Sequence, residues 1–223
     1  MKIRSFVIAY ALVLAILLFA DRRPGSTQQD RYSHVVDLTD GQDSNATTAT
    51  SAVSSTRIIA PAALIPGTWA AGQIPAERLI APLVVMDLTA GSDPDREQNT
   101  QISLDDIAAW EARHGMIPQG AVLAIRRTPV ATAAHFPIAP DAAEFLLDAR
   151  NTIGFALETP LDLTSDRTFD RNLGRQLALH GSYVVEGAAR FTALPATGSL
   201  IIVAPSKDKK PGEVPVRILA MVH

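Results

Sequence analysis

Cysteine is absent from this sequence of 223 residues, so no disulfide staples the fold and no thiol serves as nucleophile or metal ligand. Aromatic residues make up only 5% of the chain, and the formal net charge is only −3. The one basic cluster, from Ser206 to Gly212, is typical of a solvated turn rather than of a binding patch. Without a strong positive charge, the chain is not expected to bind nucleic acid.

Motifs of three common classes of protein are also missing. The sequence has no Gly-x-Ser-x-Gly elbow of a serine hydrolase, no phosphate-cradling Gly-x-x-x-x-Gly-Lys and no Gly-x-Gly-x-x-Gly dinucleotide turn. Such motifs place a nucleophile, or backbone N–H groups, where catalysis or phosphate binding needs them. Their absence means that none of these three classes is indicated.

One long hydrophobic run is present, and it lies at the N-terminus. Lys2 and Arg4 precede the uncharged stretch from Ser5 to Ala20, which Asp21-Arg22-Arg23 ends. This order predicts a signal peptide or signal anchor over residues 1–23, and a periplasmic or cell-surface location for the rest of the chain, secreted or anchored. As a helix the run reaches about 24 Å, less than the roughly 30 Å of a bilayer core, so cleavage and retention both stay open.

Composition predicts one globular domain after this leader. Hydrophobic residues form 47% of the chain, and no internal repeat is visible. Residues 24–34 are polar and turn-rich, which predicts a linker and leaves residues 35–223 as the domain. Within the domain, the tract Gly41 to Thr56 is dominated by Ser, Thr, Ala and Asn, and it predicts a flexible or extended stretch that leads into a short strand.

Helix and strand patterns alternate along the domain. Ser103 is typical of a helix N-cap, Asp106 completes a capping box, and Gly115 predicts the end of that helix. Further helices are predicted from Asp141 to Ala149 and from about Asp170 to His180. Short runs of Val, Ile and Leu predict buried strands at residues 83–88, 121–125, 153–157, 183–185, 200–203 and 214–221. The pattern predicts an α/β domain with helices covering a sheet.

Several segments follow the order found in one family of metal hydrolases. They are Asp37-Leu38-Thr39, Thr56 with Ala60-Pro61, Asp141 to Leu146, Glu158 to Asp162 and Gly181 to Glu186. From about Val35 to the C-terminus, the chain therefore resembles the cyclase and kynurenine formamidase (arylformamidase-like) family. The resemblance implies a swivelling β/β/α fold and packing as a homodimer or higher homo-oligomer. In active members it implies hydrolysis that depends on zinc or manganese, of the kind that serves the conversion of tryptophan to kynurenine.

The metal motif of that family is degenerate here. The resemblance places the base at Ala63 and the ligand positions at Val53, Arg57, Ile59, Gly174 and Glu186. A divalent ion that activates water needs several nitrogen or oxygen donors in a fixed geometry. Of these positions only Glu186 can coordinate a metal, so it is the single metal-site candidate. We assign no catalytic residue from the sequence and expect no cofactor.

The remaining donors do not rebuild the site by their spacing. No two of the five histidines share an i, i+2 or i, i+4 relation; they are His34, His114, His135, His180 and His223. Asp40, Glu158 and Asp162 are candidate pocket acids, although turn capping explains them too. We also hypothesise that Arg57 takes the vacated cation position and pairs with Glu186, because a buried carboxylate without a counter-charge carries a large desolvation cost.

Three functions stay open from the sequence. The first is an exported or membrane-tethered, catalytically degenerate family member with a binding or scaffolding role, for which a small molecule is a candidate ligand. The second is a metal-dependent hydrolase of a formamide or cyclic amide. The third is a metal-free enzyme that uses Asp40, Asp162 or Glu158 as acid or base. The loss of four of five ligand positions favours the first.

Overall fold

A computed structural model describes residues 32–40, 56–87, 101–126, 136–158, 171–207 and 212–223. The chain divides into two compact units, Met1–Ser33 and His34–His223, and nearly all the described residues belong to the second. The predicted leader lies outside the described residues. Within the described ranges, no helix combines the length and the apolar character needed to span a membrane.

In the described residues, eight strands form one sheet. They are β1 (His34–Asp37), β2 (Arg57–Ile59), β3 (Ile80–Asp87), β4 (Val122–Arg126), β5 (Gly154–Leu157), β6 (Tyr183–Glu186), β7 (Ser199–Pro205) and β8 (Glu213–Val222). Seven strands close a barrel in the order β8-β2-β6-β5-β4-β3-β7, because β7 pairs with β8 as well as with β3. Neighbours from β3 to β6 are parallel, and the other pairs are antiparallel.

The described α-helices are α1 (Pro61–Leu64), α2 (Leu104–His114), α3 (Pro140–Arg150) and α4 (Arg171–Leu179). The helix predicted after Ser103 is confirmed. The Ser103 hydroxyl accepts from the Asp106 N–H at 3.2 Å, and the Asp106 carboxylate accepts from the Ser103 N–H at 3.0 Å. Gly115, with φ of 87°, ends α2 because it takes a backbone conformation that few other residues adopt.

Alternating strand side chains produce two apolar cores. The barrel core lies inside the barrel and includes Ile58, Leu83, Val85, Val122, Ala124, Ala156, Tyr183, Val185, Ile201, Val203, Val216 and Ile218. The helix-side core lies between the outer face of the sheet and the helices, and includes Ile59, Val84, Met86, Ile107, Trp110, Leu123, Ile125, Phe155, Leu157, Leu173, Leu177 and Val184. Because both faces of the parallel strands are buried, those strands are nearly continuous apolar runs.

Two short strands, β1 and β2, lie one after the other along β8. Strand β1 pairs with residues 219–222 of β8, whereas β2 pairs with residues 213–215 of the same strand. Beyond β1, Thr39 forms an isolated antiparallel bridge with Ala188, just past the end of β6. These strands therefore follow one another along β8, and their junction lies beside the end of β6.

The α/β class predicted from the sequence is confirmed, as are the strands predicted from the apolar runs and the two later helices. Boundaries differ by a few residues at most. The tract Gly41 to Thr56 lies outside the described residues except for Thr56, which directly precedes β2.

Candidate functional site

Two of the positions at which the resemblance places the metal site, Arg57 and Glu186, lie where β2 meets β6 and β8. We call this region the β2 seam, defined by Asp40, Thr56, Arg57, Glu186 and Glu213. Strand β6 ends at Glu186, and β2 begins directly opposite with Arg57. The seam thus lies at the carboxyl end of β6.

Thr56 is one of the family residues that the seam retains, and it has a structural role. Its side chain is buried, and its hydroxyl donates to the Gly187 carbonyl at 2.8 Å. The same oxygen accepts from the backbone N–H of Asp40 at 2.8 Å. One hydroxyl therefore joins the end of the β1 segment, the start of β2 and the end of β6.

Arg57 provides the positive charge at the seam. Its Nε lies 3.2 Å from Oε2 of Glu213, and both side chains are about one third exposed, at 34% and 35%. The Nε–H makes no hydrogen bond, so the contact is one of charge and not of aligned donor and acceptor. In the strand register Arg57 is also paired with Glu186, whose residue exposure is 5%.

Apolar packing occupies other positions at which the resemblance places metal chemistry. Ile59 is 0% exposed and belongs to the helix-side core. Ala63, at the position of the base, packs against the same core from α1. Gly174 is buried in α4. Val53 lies outside the described residues.

These residues do not fit a catalytic divalent metal. Such an ion needs at least three protein donors and one open position. Within the described part of the chain, no group of three His, Cys, Asp or Glu side chains is placed to hold a metal. An alkyl side chain and a guanidinium supply no lone pair to an ion, so Glu186 alone cannot form the expected centre.

The four histidines within the described residues do not meet at the seam. His34 begins β1, and His223 follows β8. His114 ends α2, where its ring lies 4.9 Å from the Trp110 ring, and Nε2 of His180 lies 3.2 Å from Oδ1 of Asp148. His135 is outside the described residues.

The three candidate pocket acids differ in where the structure places them. Asp40 lies at the seam through its backbone bond to Thr56, whereas Glu158 follows the end of β5. Asp162 is outside the described residues. The sequence analysis missed Glu213 as the charge partner of Arg57, since only the pairing of β2 with β8 brings the two together.

A second charged group lies at the carboxyl ends of neighbouring parallel strands. Asp87 ends β3 and Arg126 ends β4, in register with each other. Nη1 of Arg126 donates to Oδ2 of Asp87 at 2.5 Å. A charged residue after an apolar run is the sequence signal for this pair, and Glu158 repeats that signal after β5.

Comparison with known proteins agrees with the fold. The family model described as "Putative cyclase" matches residues 15–161. An isatin hydrolase of Roseibium aggregatum is 29% identical over 165 residues, which are 66% of this chain and 61% of that protein. The chain thus spans less than two thirds of that relative's length.

Solved structures show the same architecture. Isatin hydrolase A from Labrenzia aggregata, bound to benzyl benzoate, gives a TM-score of 0.67 at 23% identity, covering 91% of this chain and 98% of that one. Isatin hydrolase A from Ralstonia solanacearum gives 0.62 at 28% identity, covering 76% and 72%. The swivelling β/β/α fold is therefore shared with these hydrolases.

Proposed function

We propose that this chain, which belongs to the cyclase family, acts by binding a ligand or partner and not by metal-dependent hydrolysis. The observation that carries the proposal is the packing of Ile59, a ligand position by resemblance, entirely within the helix-side core. We further propose that the domain is exported or tethered outside the cytoplasm. A scaffolding role there would not require metal-dependent hydrolysis.

Metal-dependent hydrolysis needs an activated water and a group that moves its proton. Arg57 and Ile59 cannot ligate the ion, and Ala63 cannot take the proton. Introducing a divalent ion beside the Arg57 guanidinium would also place two cations a few ångströms apart in a partly buried site. A binding function requires neither metal ligands nor a base at these positions. The barrel and both cores are complete with Arg57, Ile59 and Ala63 in place.

The deciding experiment is elemental analysis of the purified full-length chain after incubation with zinc and manganese and removal of loosely held ions. We expect far less than one tightly held ion per chain. About one ion per chain would overturn the proposal. A parallel sample of an active isatin hydrolase, treated in the same way, shows that the washing leaves a tight site loaded.

The alternative function is a metal-dependent hydrolase of a cyclic amide or formamide. The similarity to isatin hydrolases favours it, since isatin is itself a cyclic amide. An arylformamidase-like reaction, as in conversion of tryptophan to kynurenine, belongs to the same alternative. Turnover of isatin or an aryl formamide that rises with added zinc or manganese would support this alternative, and its ligands would then include residues outside the described ranges.

Location and assembly complete the proposal. The charged residues and apolar run of segment 1–23 favour export, followed by cleavage or anchoring. Cell fractionation combined with the mass of the mature N-terminus tests both outcomes, and an uncleaved cytosolic chain would contradict export. We also propose a homodimer or larger homo-oligomer, which light scattering of the purified chain tests.

A further inference from the structure

The described helices cover only one part of the barrel. Among the described residues, the helix-side core takes side chains from β2, β3, β4, β5 and β6, and none from β1, β7 or β8. The strands β1, β8 and β7 and the first half of β3 lie side by side in that order, and each neighbouring pair is antiparallel. These four segments therefore form an antiparallel sheet on the side of the barrel away from the helix-side core.

The register of this sheet aligns its outer side chains in two rows, because residues directly opposite in an antiparallel pair share a face. The first row is Val35, Met221, Leu200 and Pro82, and the second is Asp37, Leu219, Ile202 and Ile80. Seven of the eight are apolar, and we call them the outer apolar face: Val35, Ile80, Pro82, Leu200, Ile202, Leu219 and Met221.

The outer apolar face is in contact with solvent. Val35 is 59% exposed and Ile80 is 55% exposed, and the other five residues are partly exposed. Their strand neighbours Ile201, Ile218 and Ala220 lie in the barrel core, so the face points outward. An antiparallel sheet that meets water on one face usually has polar side chains there. Two adjoining apolar rows instead indicate a surface that a partner covers.

We infer that the outer apolar face packs against the same face of a second copy of this chain, as two sheets face to face about 10 Å apart. This inference rests on the homo-oligomer of the proposed function and deepens it by naming the surface. A contact that uses the same surface on both copies closes at two subunits, so the assembly at this face is a dimer.

Charge favours a second copy as the occupant. The chain has a net charge of −3, so two copies repel each other unless they meet at a surface of little charge. None of the seven residues is charged, and Asp37, at the end of the second row, lies 3.0 Å from Arg217 in an ion pair. A strongly acidic or basic partner would find no complementary charge on the face. A membrane surface fits less well, because the seven residues include no Trp, Tyr, Lys or Arg.

The size of the face fits the centre of a dimer interface. Strands lie about 4.8 Å apart and positions on one face about 6.8 Å apart along a strand, so seven positions cover roughly 230 Å². A standard interface buries about 800 Å² on each partner, with an apolar centre and a polar rim. The face supplies such a centre and leaves most of the area to polar residues around it. We therefore expect a dimer that dissociates on dilution.

The first test measures the dimer Kd of the full-length chain by analytical ultracentrifugation. The double variant Val35→Lys/Ile80→Lys adds two charges at the most exposed positions of the face, where the separate chain keeps them in water. In the dimer these ammonium groups lose water without gaining a partner, so we expect Kd to rise at least about tenfold.

The matched control is Met116→Lys/Leu179→Lys. It adds the same two charges at apolar residues that are 77% and 64% exposed and lie at the ends of α2 and α4. The two variants have equal net charge, so only the position of the new charges differs. The Kd of the control should stay within about twofold of the wild type.

The second test needs no loss of stability and therefore serves even if the face variant does not fold. The chain contains no cysteine, so one introduced thiol reports only its own position. Ile202 lies in the second row between Leu219 and Ile80. A short bismaleimide should join two copies of Ile202→Cys, and it should join far fewer copies of Met116→Cys at the same concentration.

The possible results separate the inference from the proposed function. A dimer whose Kd changes equally in the face variant and the control, or equal cross-linking of the two Cys variants, would overturn the inference and leave the homo-oligomer standing. A monomeric wild type would contradict both. Binding of a monomer to phosphatidylcholine vesicles that Val35→Lys/Ile80→Lys abolishes would assign the face to a membrane and also overturn the inference. Metal content tests the metal independence of the proposed function separately.

Discussion

The two ends of the parallel strands differ in how they are held together. At the amino end, the Tyr183 hydroxyl donates to the Arg78 carbonyl at 3.0 Å, and the Ser182 hydroxyl donates to the Thr152 carbonyl at 2.7 Å. At the carboxyl end, the Arg57–Glu213 and Arg126–Asp87 pairs join charged side chains that are partly exposed, beside the buried hydrogen bonds of Thr56. Hydrogen bonds from buried side chains to backbone carbonyls thus hold the amino end, while partly exposed ion pairs are added at the carboxyl end.

The residues at the two ends therefore differ in what they contribute. Burial raises the pKa of Tyr183 well above its usual value, so the phenol stays neutral and fills the amino end of the barrel core. The carboxyl end carries the positions at which the family resemblance places its chemistry. Arg57 and Ile59 stand at two of those positions, and the barrel is closed with both residues in place.

The largest effect is expected from Gly154→Ala at the amino end. A Cβ on Gly154 would lie 2.5 Å, 2.8 Å and 2.9 Å from three atoms of the Tyr183 ring. The ring is buried and tied through its hydroxyl, so it cannot easily move away. We expect the free energy of unfolding to fall by about 3 kcal/mol, measured by chemical denaturation.

Gly67→Ala is the matched control for Gly154→Ala. Gly67 has φ of 90°, and a Cβ there meets nothing within 4 Å. Its cost should be about 1 kcal/mol, from the left-handed backbone alone. If both variants lose the same stability, close packing at the amino end is not what distinguishes it.

An intermediate effect is expected from Glu111→Gln, also near the amino end. Glu111 accepts two bonds from Arg150, at 2.7 Å and 2.8 Å, and one from the Ile117 N–H at 2.9 Å. The hydrogen bond with Arg150 is the main reason that the pKa of Glu111 is lowered. We expect a loss of about 2 kcal/mol at neutral pH, because the pair is largely buried.

The pH dependence gives this prediction a direction. A carboxyl whose pKa is lowered by folding stabilises the protein above its unfolded-state value, and that stability is lost as the pH falls through the folded-state pKa. The difference in unfolding free energy between wild type and Glu111→Gln should therefore shrink below about pH 4.5. A difference that grows on acidification would contradict the expected role of the ionised carboxylate.

The smallest effect is expected from Arg126→Ala at the carboxyl end. Its ion pair with Asp87 is about 30% exposed on both sides, and such pairs are screened by solvent. Denaturation should show a loss of no more than about 0.5 kcal/mol. A loss as large as that of Glu111→Gln would erase the contrast between the two ends.

Most of the fold could be predicted from residues that lie close together in the sequence. Ser103, Asp106 and Gly115 act within a few residues of one another, so the bounds of α2 could be predicted before any tertiary contact was known. Apolar runs located the parallel strands for the same reason, because both faces of those strands are buried.

The candidate site depends on pairing between strands that are far apart in the sequence, and such pairing is harder to predict. The family motif suggested Glu186 as the partner of Arg57, and the strand register sets the two residues opposite each other. The ion pair that the structure shows is with Glu213, and it depends on β8 lying along β2. The burial of Ile59 likewise depends on which face of β2 meets the helices. Val53, His135 and Asp162 lie outside the described residues, and their roles stay predictions.

The two short strands along β8 make the barrel a natural host for inserted sequence. Strand β8 is ten residues long and holds both strands, and Thr56 fastens their junction to β6. The chain between Asp40 and Thr56 can therefore change length at a modest cost in loop closure, about 0.6 kcal/mol per doubling. Protein engineers could graft a recognition peptide there and test by thermal unfolding whether the barrel stays closed.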